Sequence, residues 1–208
     1  MFGKSCPADA QEGIKAALQV TQVEFEPKYL GLPTPEGRMT RGKFQSIQEK
    51  MVKRIVKWGE GSQGGKEVLI KAVAQALPTF LMGVFKLPMS VCDDLNRMVR
   101  NFWWGSSEGK RKTHWLAWPK ILAHKMKGGL GFRDFRLFNQ ALLARQAWRL
   151  LTNPNSLCAQ VLKARYYPEG RLEDTVFSGN ASPTWQGIQH GLELLKKGIV
   201  WHVGDGHN

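Results

Sequence analysis

The stretch "FQSIQEKMVKRIVKW", residues 44–58, decides that the middle of this chain is helical. Its apolar side chains recur every three or four positions, the spacing that brings side chains onto one face of an α-helix. These apolar residues are Phe44, Ile47, Met51, Ile55 and Trp58. A second face collects four cations, Lys50, Lys53, Arg54 and Lys57, and Glu49 is the only acid in the stretch. The pattern predicts a helix with one buried side and one strongly basic side.

Further helices are predicted after the glycine-rich break "GSQGG" at residues 61–65. The first runs from Lys66 to about Leu77 and ends or kinks at Pro78, because proline cannot donate to the helical hydrogen-bond ladder. The next covers Ser90–Trp104 and is predicted to open with a capping box of Ser90 and Asp93. The last three are predicted over Arg136–Leu151, Ser156–Tyr167 and residues 182–199.

The helix over Arg136–Leu151 is predicted to bury one apolar stripe, formed by Leu137, Ala141, Ala144, Trp148 and Leu151. Near the N-terminus, Val20, Val23, Phe25 and Tyr29 alternate with polar residues, which predicts one or two short strands. The predicted fold class is therefore mostly α, a helical bundle with a small β-hairpin element near the N-terminus.

The charge of the chain points to a polyanionic partner. Thirty Lys and Arg residues against 17 Asp and Glu residues give a net charge of +13 over 208 residues. Such an excess is typical of proteins that bind nucleic acid, an anionic membrane or an acidic protein. Two basic surfaces are predicted, one on the helix of residues 44–58 and one in the loop of Lys110, Arg111 and Lys112, followed by Lys120, Lys125 and Lys127. Two such runs favour binding to a phosphate backbone.

Two glycine-rich motifs fail as nucleotide sites, so we expect no small-molecule substrate. In "GEGSQGGKE", residues 59–67, Glu60 stands where a phosphate-binding loop needs glycine, and Glu67 stands where it needs serine or threonine. In "GGLGFRD", residues 128–134, Asp134 occupies the place of the third glycine of a dinucleotide fingerprint.

The sequence also predicts no metal site and no catalytic residue. The aspartate pair in "VCDD", residues 91–94, falls in the first turn of a predicted helix, where acids favour the helix dipole without binding magnesium. The five histidines form no ligand-spaced cluster. Three scattered cysteines, Cys6, Cys92 and Cys158, argue against a disulfide framework and for a reducing, intracellular compartment.

Four of the eight tryptophans lie in "NFWWGSSEGKRKTHWLAW", residues 101–118. They are either core anchors at helix ends or a stacking platform for nucleobases. Trp103 and Trp104 end a predicted helix, while Trp115 and Trp118 flank Leu116 on a short apolar piece. Because indoles on apolar stripes are usually buried, we predict that all four are core anchors and that the loop "GKRK" between them contacts phosphates.

Eight strings that occur in a fixed order carry a family resemblance; they are "KYLGLP" (28–33), "GKEVLIKAV" (65–73), "ALPTFLMGVFKLP" (76–88), "FWWG" (102–105), "HWLAW" (114–118), "GGLGFRDF" (128–135), "FNQALLARQAWRLL" (138–151) and "GDG" (204–206). From about Lys28 onward, the chain resembles the region that follows the catalytic palm in reverse transcriptases of LINE-type (non-LTR) retrotransposons of plants.

The resemblance implies three regions and a nucleic-acid partner. Residues 1–39 would form the end of the palm, with a β-hairpin that grips the primer and includes Lys28, Tyr29, Leu30 and Gly31. Residues 40–106 resemble the helical thumb, which cradles the template–primer duplex of RNA or DNA. Residues 107–208 resemble the helical connection, which we expect to be truncated at its C-terminus.

The resemblance also implies what this chain lacks by itself. The aromatic-x-Asp-Asp motif of the family, which holds Mg²⁺, would lie upstream of residue 1, so we expect this chain alone not to polymerise nucleotides and to bind no cofactor. The expected function is that of a non-catalytic fragment or relic that binds nucleic acid without sequence preference. The alternatives are a part of an active RNA-directed DNA polymerase and a helical protein-interaction module. We expect no membrane partner and a location in the nucleus, the cytoplasm or an organelle.

Overall fold

The computed structural model of the chain describes residues 7–19, 28–34, 38–59, 61–107, 110–111, 113–175 and 181–200. Contacts within the chain divide it into two compact units, Met1–Glu36 and Gly37–Asn208. No result here tests the domain boundaries expected at residues 39 and 106, which stay predictions.

The first unit contains helix α1 (Ala8–Leu18) and an antiparallel hairpin of β1 (Lys28–Tyr29) and β2 (Leu32–Pro33). The two turn residues, Leu30 and Gly31, both have positive φ angles, of 50° and 78°. Such angles are typical of the tight two-residue turn that matches the twist of a hairpin, and glycine adopts them without strain. The predicted strand residues Val20, Val23 and Phe25 lie outside the described part of the chain.

The second unit is helical, apart from a short antiparallel hairpin of β3 (Ser106–Ser107) and β4 (Lys110–Arg111). Its helices, within the described residues, are α2 (Gln45–Trp58), α3 (Gln63–Leu69), α4 (Thr79–Met82), α5 (Met89–Trp104), α6 (Trp118–Leu122), α7 (Phe135–Thr152), α8 (Leu157–Tyr166) and α9 (Pro183–Gly198). The predicted fold class, mostly α with a small hairpin near the N-terminus, is confirmed. The second hairpin was not predicted.

Helix α2 buries the predicted apolar stripe. Phe44, in the 3₁₀ turn that leads into α2, is fully buried together with Met51, and Ile47 is nearly so. At the other end of the helix, the ring of Trp58 lies 5.3 Å from that of Phe102 on α5. Because the apolar residues face the core, the opposite side of α2 is left to solvent.

The predicted helix from Lys66 to Leu77 changes its hydrogen-bond pattern midway. Helix α3, capped by the Ser62 hydroxyl, leads into a π-helical turn over Ile70–Ala74. In this turn the Gln75 N–H donates to the Ile70 carbonyl at 2.9 Å. The helical path ends before Pro78, as the missing donor of proline requires.

The predicted capping box of Ser90 and Asp93 is wrong. Helix α5 begins one residue earlier, at Met89, and its N-cap is Pro88, which has no side-chain group that can cap. Asp93 and Asp94 therefore lie beyond the first turn and are free to pair with cations on other elements.

The two aspartates tie α5 to its neighbours. Asp94 is buried and forms ion pairs with Arg41, at 2.6 Å, and with Arg97. Asp93 pairs with Arg136 at the start of α7. A further hydrogen bond, from the Gln48 amide of α2 to Asp94, measures 2.9 Å. Both carboxylates thus join helices and are not end caps.

The predicted buried stripe of α7 is also wrong. Leu137 and Trp148 are 68% and 49% exposed. The buried face instead consists of Phe135, Asn139, Leu143, Ala144, Ala147 and Leu150. It includes a polar residue because the Asn139 side chain accepts from the Leu87 N–H and donates to the carbonyls of Met82 and Phe85, at 2.7–2.9 Å.

Helices α7 and α9 approach each other closely at two glycines of α9. A methyl group at Gly191 would overlap the backbone of Leu143 and Ala144, and one at Gly187 would come within 3.0 Å of the Val84 carbonyl oxygen. Beside this contact Trp185 is buried, with the ring of Tyr166 stacked on it at 4.3 Å. The absence of side chains at two positions four residues apart therefore sets the distance between the helices.

Among the described residues, no helix is both long enough and apolar enough to cross a membrane.

We predict that Gly191→Ala destabilises the fold by about 1–3 kcal/mol, the usual cost of overpacking a core. The added methyl group has no space against the backbone of α7. Gly64→Ala, inside α3, is the matched control, because nothing lies within 4 Å of its Cβ position. Alanine has the higher helix propensity, so the control should be neutral or stabilising. Urea unfolding measures both; equal stabilities of the two variants would contradict the close contact.

Candidate nucleic-acid interface

The basic face of α2 is fully formed. Lys50, Lys53, Arg54 and Lys57 are all exposed, and their spacing of three and four residues places them on one side of the helix. Lys50 and Arg54 flank the buried residues Ile47 and Met51, and Lys53 and Lys57 lie further round the helix. The structure therefore brings these four predicted residues together.

In the part of the chain that the structure describes, no carboxylate pairs with this face. Within the described residues, none of the four cations makes an ion pair. Glu49, the one acid of α2, is exposed and accepts a hydrogen bond from the Gln45 amide at 2.9 Å. Asp94, on the neighbouring α5, is occupied by Arg41 and Arg97. The positive charge of the face is left available to an external anion.

The four residues predicted by the resemblance at the first hairpin are also exposed. Lys28 and Tyr29 form β1, and Leu30 and Gly31 form the turn that follows. They belong to the first compact unit, whereas the basic face of α2 belongs to the second.

Two of the three cations predicted in the basic loop lie on β4. Lys110 and Arg111 pair with Ser107 and Ser106 across the second hairpin. Lys112, like the side chains of the hairpin, lies outside the described part of the structure. The backbone thus places two of the loop cations on a short projecting strand.

Lys125, in the basic run that follows, is not a free cation. Its ammonium lies 3.1 Å from the Glu67 carboxylate, which also pairs with Lys71 at 2.7 Å. Hydrogen bonds from Lys71 and Lys125 lower the pKa of Glu67. The sequence run contains no acid, but the fold supplies one from α3, so this part of the predicted surface is less positive than the sequence indicates.

Three of the four tryptophans are packed, as predicted. Trp103 and Trp118 are half-buried, with rings 5.3 Å and 6.0 Å from that of Phe132. Trp104 is half-buried and stacks on the His114 ring at 5.5 Å. These indoles join the end of α5 to α6 and the turn before α7.

Trp115 contradicts the prediction that all four indoles are core anchors. Its side chain is 81% exposed, and the neighbouring Leu116 is 52% exposed. The indole follows Arg111 by four residues, on the chain that leaves the basic hairpin. An exposed indole next to basic residues is the arrangement in which nucleobases stack on proteins.

Sequence reasoning missed a cleft between α2, α3 and α5. Its volume is about 370 Å³, and it is lined by Val52, Ile55, Val56, Gly59, Lys66, Met98, Asn101, Phe102 and Gly105. Lys66 is only 6% exposed, and its ammonium lies 5.6 Å from the centre of the Phe102 ring. Nothing in the glycine-rich turn before Lys66 indicates that this lysine is buried.

The described residues hold no group of three or more His, Cys, Asp or Glu side chains that could bind a metal ion. Cys92 is buried and free, and burial raises its pKa to about 11, so its thiol stays protonated near neutral pH. Cys158 is exposed and free.

No protein-family model matches the chain. No solved structure matches it either.

Two curated proteins of Arabidopsis thaliana are similar to the chain. "Putative ribonuclease H protein At1g65750" is 35% identical over 181 residues, which are 84% of this chain and 29% of that protein. This chain therefore spans less than a third of that longer relative. "Uncharacterized mitochondrial protein AtMg00310" is 42% identical over 132 residues, which are 63% of this chain and 86% of that protein. With an identity of this size over nearly the whole of that relative, the chain belongs to the family of the mitochondrial protein AtMg00310.

Proposed function

We propose that this chain is a non-catalytic, retroelement-derived segment that binds template–primer nucleic acid without sequence preference. The observation that carries the proposal is the exposed basic face of α2, whose four cations have no carboxylate partner among the described residues. The resemblance to the thumb of LINE-type reverse transcriptases supports the same assignment. So does the relative named a ribonuclease H protein, since that name supports an association with nucleic acid.

The dimensions of the basic face suit a phosphate backbone. Lys50 and Lys57 are seven residues apart, which corresponds to about 10 Å along a helix. One strand of a duplex carries about three phosphates over that length. Lysine and arginine side chains on an exposed helix reach phosphates without reading base edges, which supports binding that is independent of sequence.

The state of the aspartates supports a non-catalytic role for this segment. Asp93 and Asp94 are adjacent acids of the kind that bind magnesium, and here Asp93 pairs with Arg136 and Asp94 with Arg41 and Arg97. Two-metal nucleotidyl transfer needs carboxylates that are free to coordinate the ions. We propose that Mg²⁺ chemistry, where the parent polymerase performs it, uses carboxylates of the palm.

An alternative is that the segment works within a longer, active polymerase. The match of 181 residues covers only 29% of the longer relative, which favours this alternative. In both cases we assign the segment the same physical task, which is to hold nucleic acid through its phosphates.

The first binding prediction concerns charge. Wild-type chain should bind an RNA–DNA hybrid, and the quadruple variant Lys50→Gln, Lys53→Gln, Arg54→Gln, Lys57→Gln should bind much more weakly. Each lost phosphate contact reduces the slope of log affinity against log salt by about 0.9, so the slope should fall by about 3–4. Fluorescence anisotropy from about 50 to about 200 mM salt measures it.

The matched control removes the same charge elsewhere, with Lys163→Gln, Arg165→Gln, Lys196→Gln and Lys197→Gln on the exposed sides of α8 and α9. Its slope should stay near that of wild type. An equal loss of salt dependence in both variants would show that binding depends on the net charge of the chain and not on the basic face of α2. A wild-type chain that binds no hybrid at low salt would contradict the proposed function itself.

The second binding prediction concerns stacking. Trp115→Ala should weaken binding to single-stranded RNA about tenfold and binding to a blunt duplex much less, because only unpaired bases expose a face to an indole. Trp148→Ala removes another exposed indole, on α7, and should leave both affinities unchanged. Equal effects of the two substitutions would contradict the assignment to Trp115.

A further inference from the structure

We propose that the cleft between α2, α3 and α5 receives one unpaired nucleobase of the bound strand, and that Lys66 selects bases with a carbonyl oxygen at position 6 of a purine or position 4 of a pyrimidine. This inference rests on the proposed nucleic-acid binding and adds to it a site with a preference among bases. Its starting point is Lys66, a lysine that is only 6% exposed and lines an open cleft of about 370 Å³.

Lys66 has a hydrogen-bonding capacity that the fold does not use. No carboxylate pairs with it within the described residues, and its ammonium lies over the Phe102 ring at 5.6 Å. An ammonium carries three N–H donors, and the face of an aromatic ring is a weak substitute for an oxygen acceptor. Because Lys66 lines the cleft and its N–H donors have no oxygen partner there, the site favours a ligand that brings acceptor atoms to Lys66.

The walls of the cleft suit a flat, largely apolar group. Val52, Ile55 and Val56 of α2 face Met98 and Phe102 of α5 across it. At its ends lie two glycines, Gly59 after α2 and Gly105 after α5, with φ angles of 60° and 80° and no side chain to narrow the opening. Apolar walls with few polar groups are typical of small-molecule and base pockets.

The polar groups of the cleft favour a keto base. Lys66 donates only, so it matches the O6 and N7 acceptors of guanine or the carbonyl oxygen at position 4 of uracil and thymine. The exocyclic amino groups of adenine and cytosine would place donor hydrogens against the ammonium. Asn101, on the same cleft, offers both a donor and an acceptor and is compatible with either edge.

The cleft adjoins the surface that holds the backbone. Val52 and Val56, on its rim, alternate along α2 with Lys53 and Lys57 of the basic face. Residues three apart on a helix are neighbours, so Lys53 lies beside Val56. A strand that contacts Lys53 would therefore lie beside the opening into which one of its bases turns.

The test uses the full chain and RNA–DNA hybrids that end either blunt or in one unpaired nucleotide, A, C, G or U. Wild-type chain should bind the U and G overhangs about tenfold more tightly than the A and C overhangs, within the range measured for hydrogen-bonded base contacts. Lys66→Met removes the donors at nearly constant volume, and Val56→Trp obstructs the cleft from an exposed position. Both should reduce the U-to-C affinity ratio to about one.

Two controls make the result specific. Val68→Trp adds an indole at an exposed position of α3 that does not line the cleft, and its U-to-C ratio should remain that of wild type. Thermal unfolding checks that each variant is folded. A 4-thiouracil overhang, irradiated and mapped by mass spectrometry, should crosslink to the segments that contain Val52–Val56 or Met98–Phe102.

The outcomes separate this inference from the proposed function. Equal binding of all overhangs and of the blunt hybrid, or a ratio that survives in Lys66→Met and Val56→Trp, would overturn the base cleft while the phosphate interface stands. Crosslinks confined to other segments would overturn it as well. Failure of every probe to bind at low salt would overturn the proposed function, and the cleft assignment with it.

Discussion

The second unit depends on the buried amide of Asn139. The chain between α4 and α5 is irregular, so several backbone groups there and at the end of α4 have no helical partner, and burying them unpaired would cost about 1–3 kcal/mol each. Asn139 satisfies three of them, the Leu87 N–H and the carbonyls of Met82 and Phe85. Gly187 of α9 comes up against the same connection at the Val84 carbonyl. The Asn139 amide and the lack of a side chain at Gly187 therefore allow a non-helical segment to lie inside a helical bundle.

That connection determines where α5 begins, and α5 determines how α2 is presented. Pro88 follows the segment and opens α5, so the two aspartates of α5 point to neighbouring elements. Asp94 holds the start of α2 through Arg41 and Gln48, and the contact of Trp58 with Phe102 holds the end of α2. A helix fixed at both ends along its apolar side presents its other side to solvent in a constant orientation, which a basic surface needs in order to match the regular spacing of phosphates.

The sequence predicts what local spacing decides and misses what distant partners decide. The apolar and basic sides of α2 follow from a period of three to four residues, and the structure places both as expected. The buried side of α7 does not follow, because Asn139 is polar and its burial depends on carbonyls more than 50 residues away. Lysine is rarely buried, so no sequence rule would place Lys66 in a cleft. The prediction that Trp115 is a core anchor fails for the converse reason. An indole in an apolar string is usually covered by neighbouring side chains, whereas that of Trp115 is exposed.

The distribution of carboxylates explains why net charge alone does not locate the interface. Three acids, Glu67, Asp93 and Asp94, pair with cations at five positions. The pairs with Arg41, Lys125 and Arg136 join separate elements, whereas Lys71 and Arg97 lie one helical turn from the acids that they pair with. The main effect of these pairs on binding is to cancel positive charge locally. The cancellation occurs around α3, α5 and the start of α7, and it leaves α2 untouched. An excess of +13 spread evenly would attract any polyanion weakly. Four unpaired cations on one helix face beside a cleft favour a polyanion whose charges are regularly spaced and whose attached groups are flat and apolar, which is the chemistry of a nucleic-acid strand.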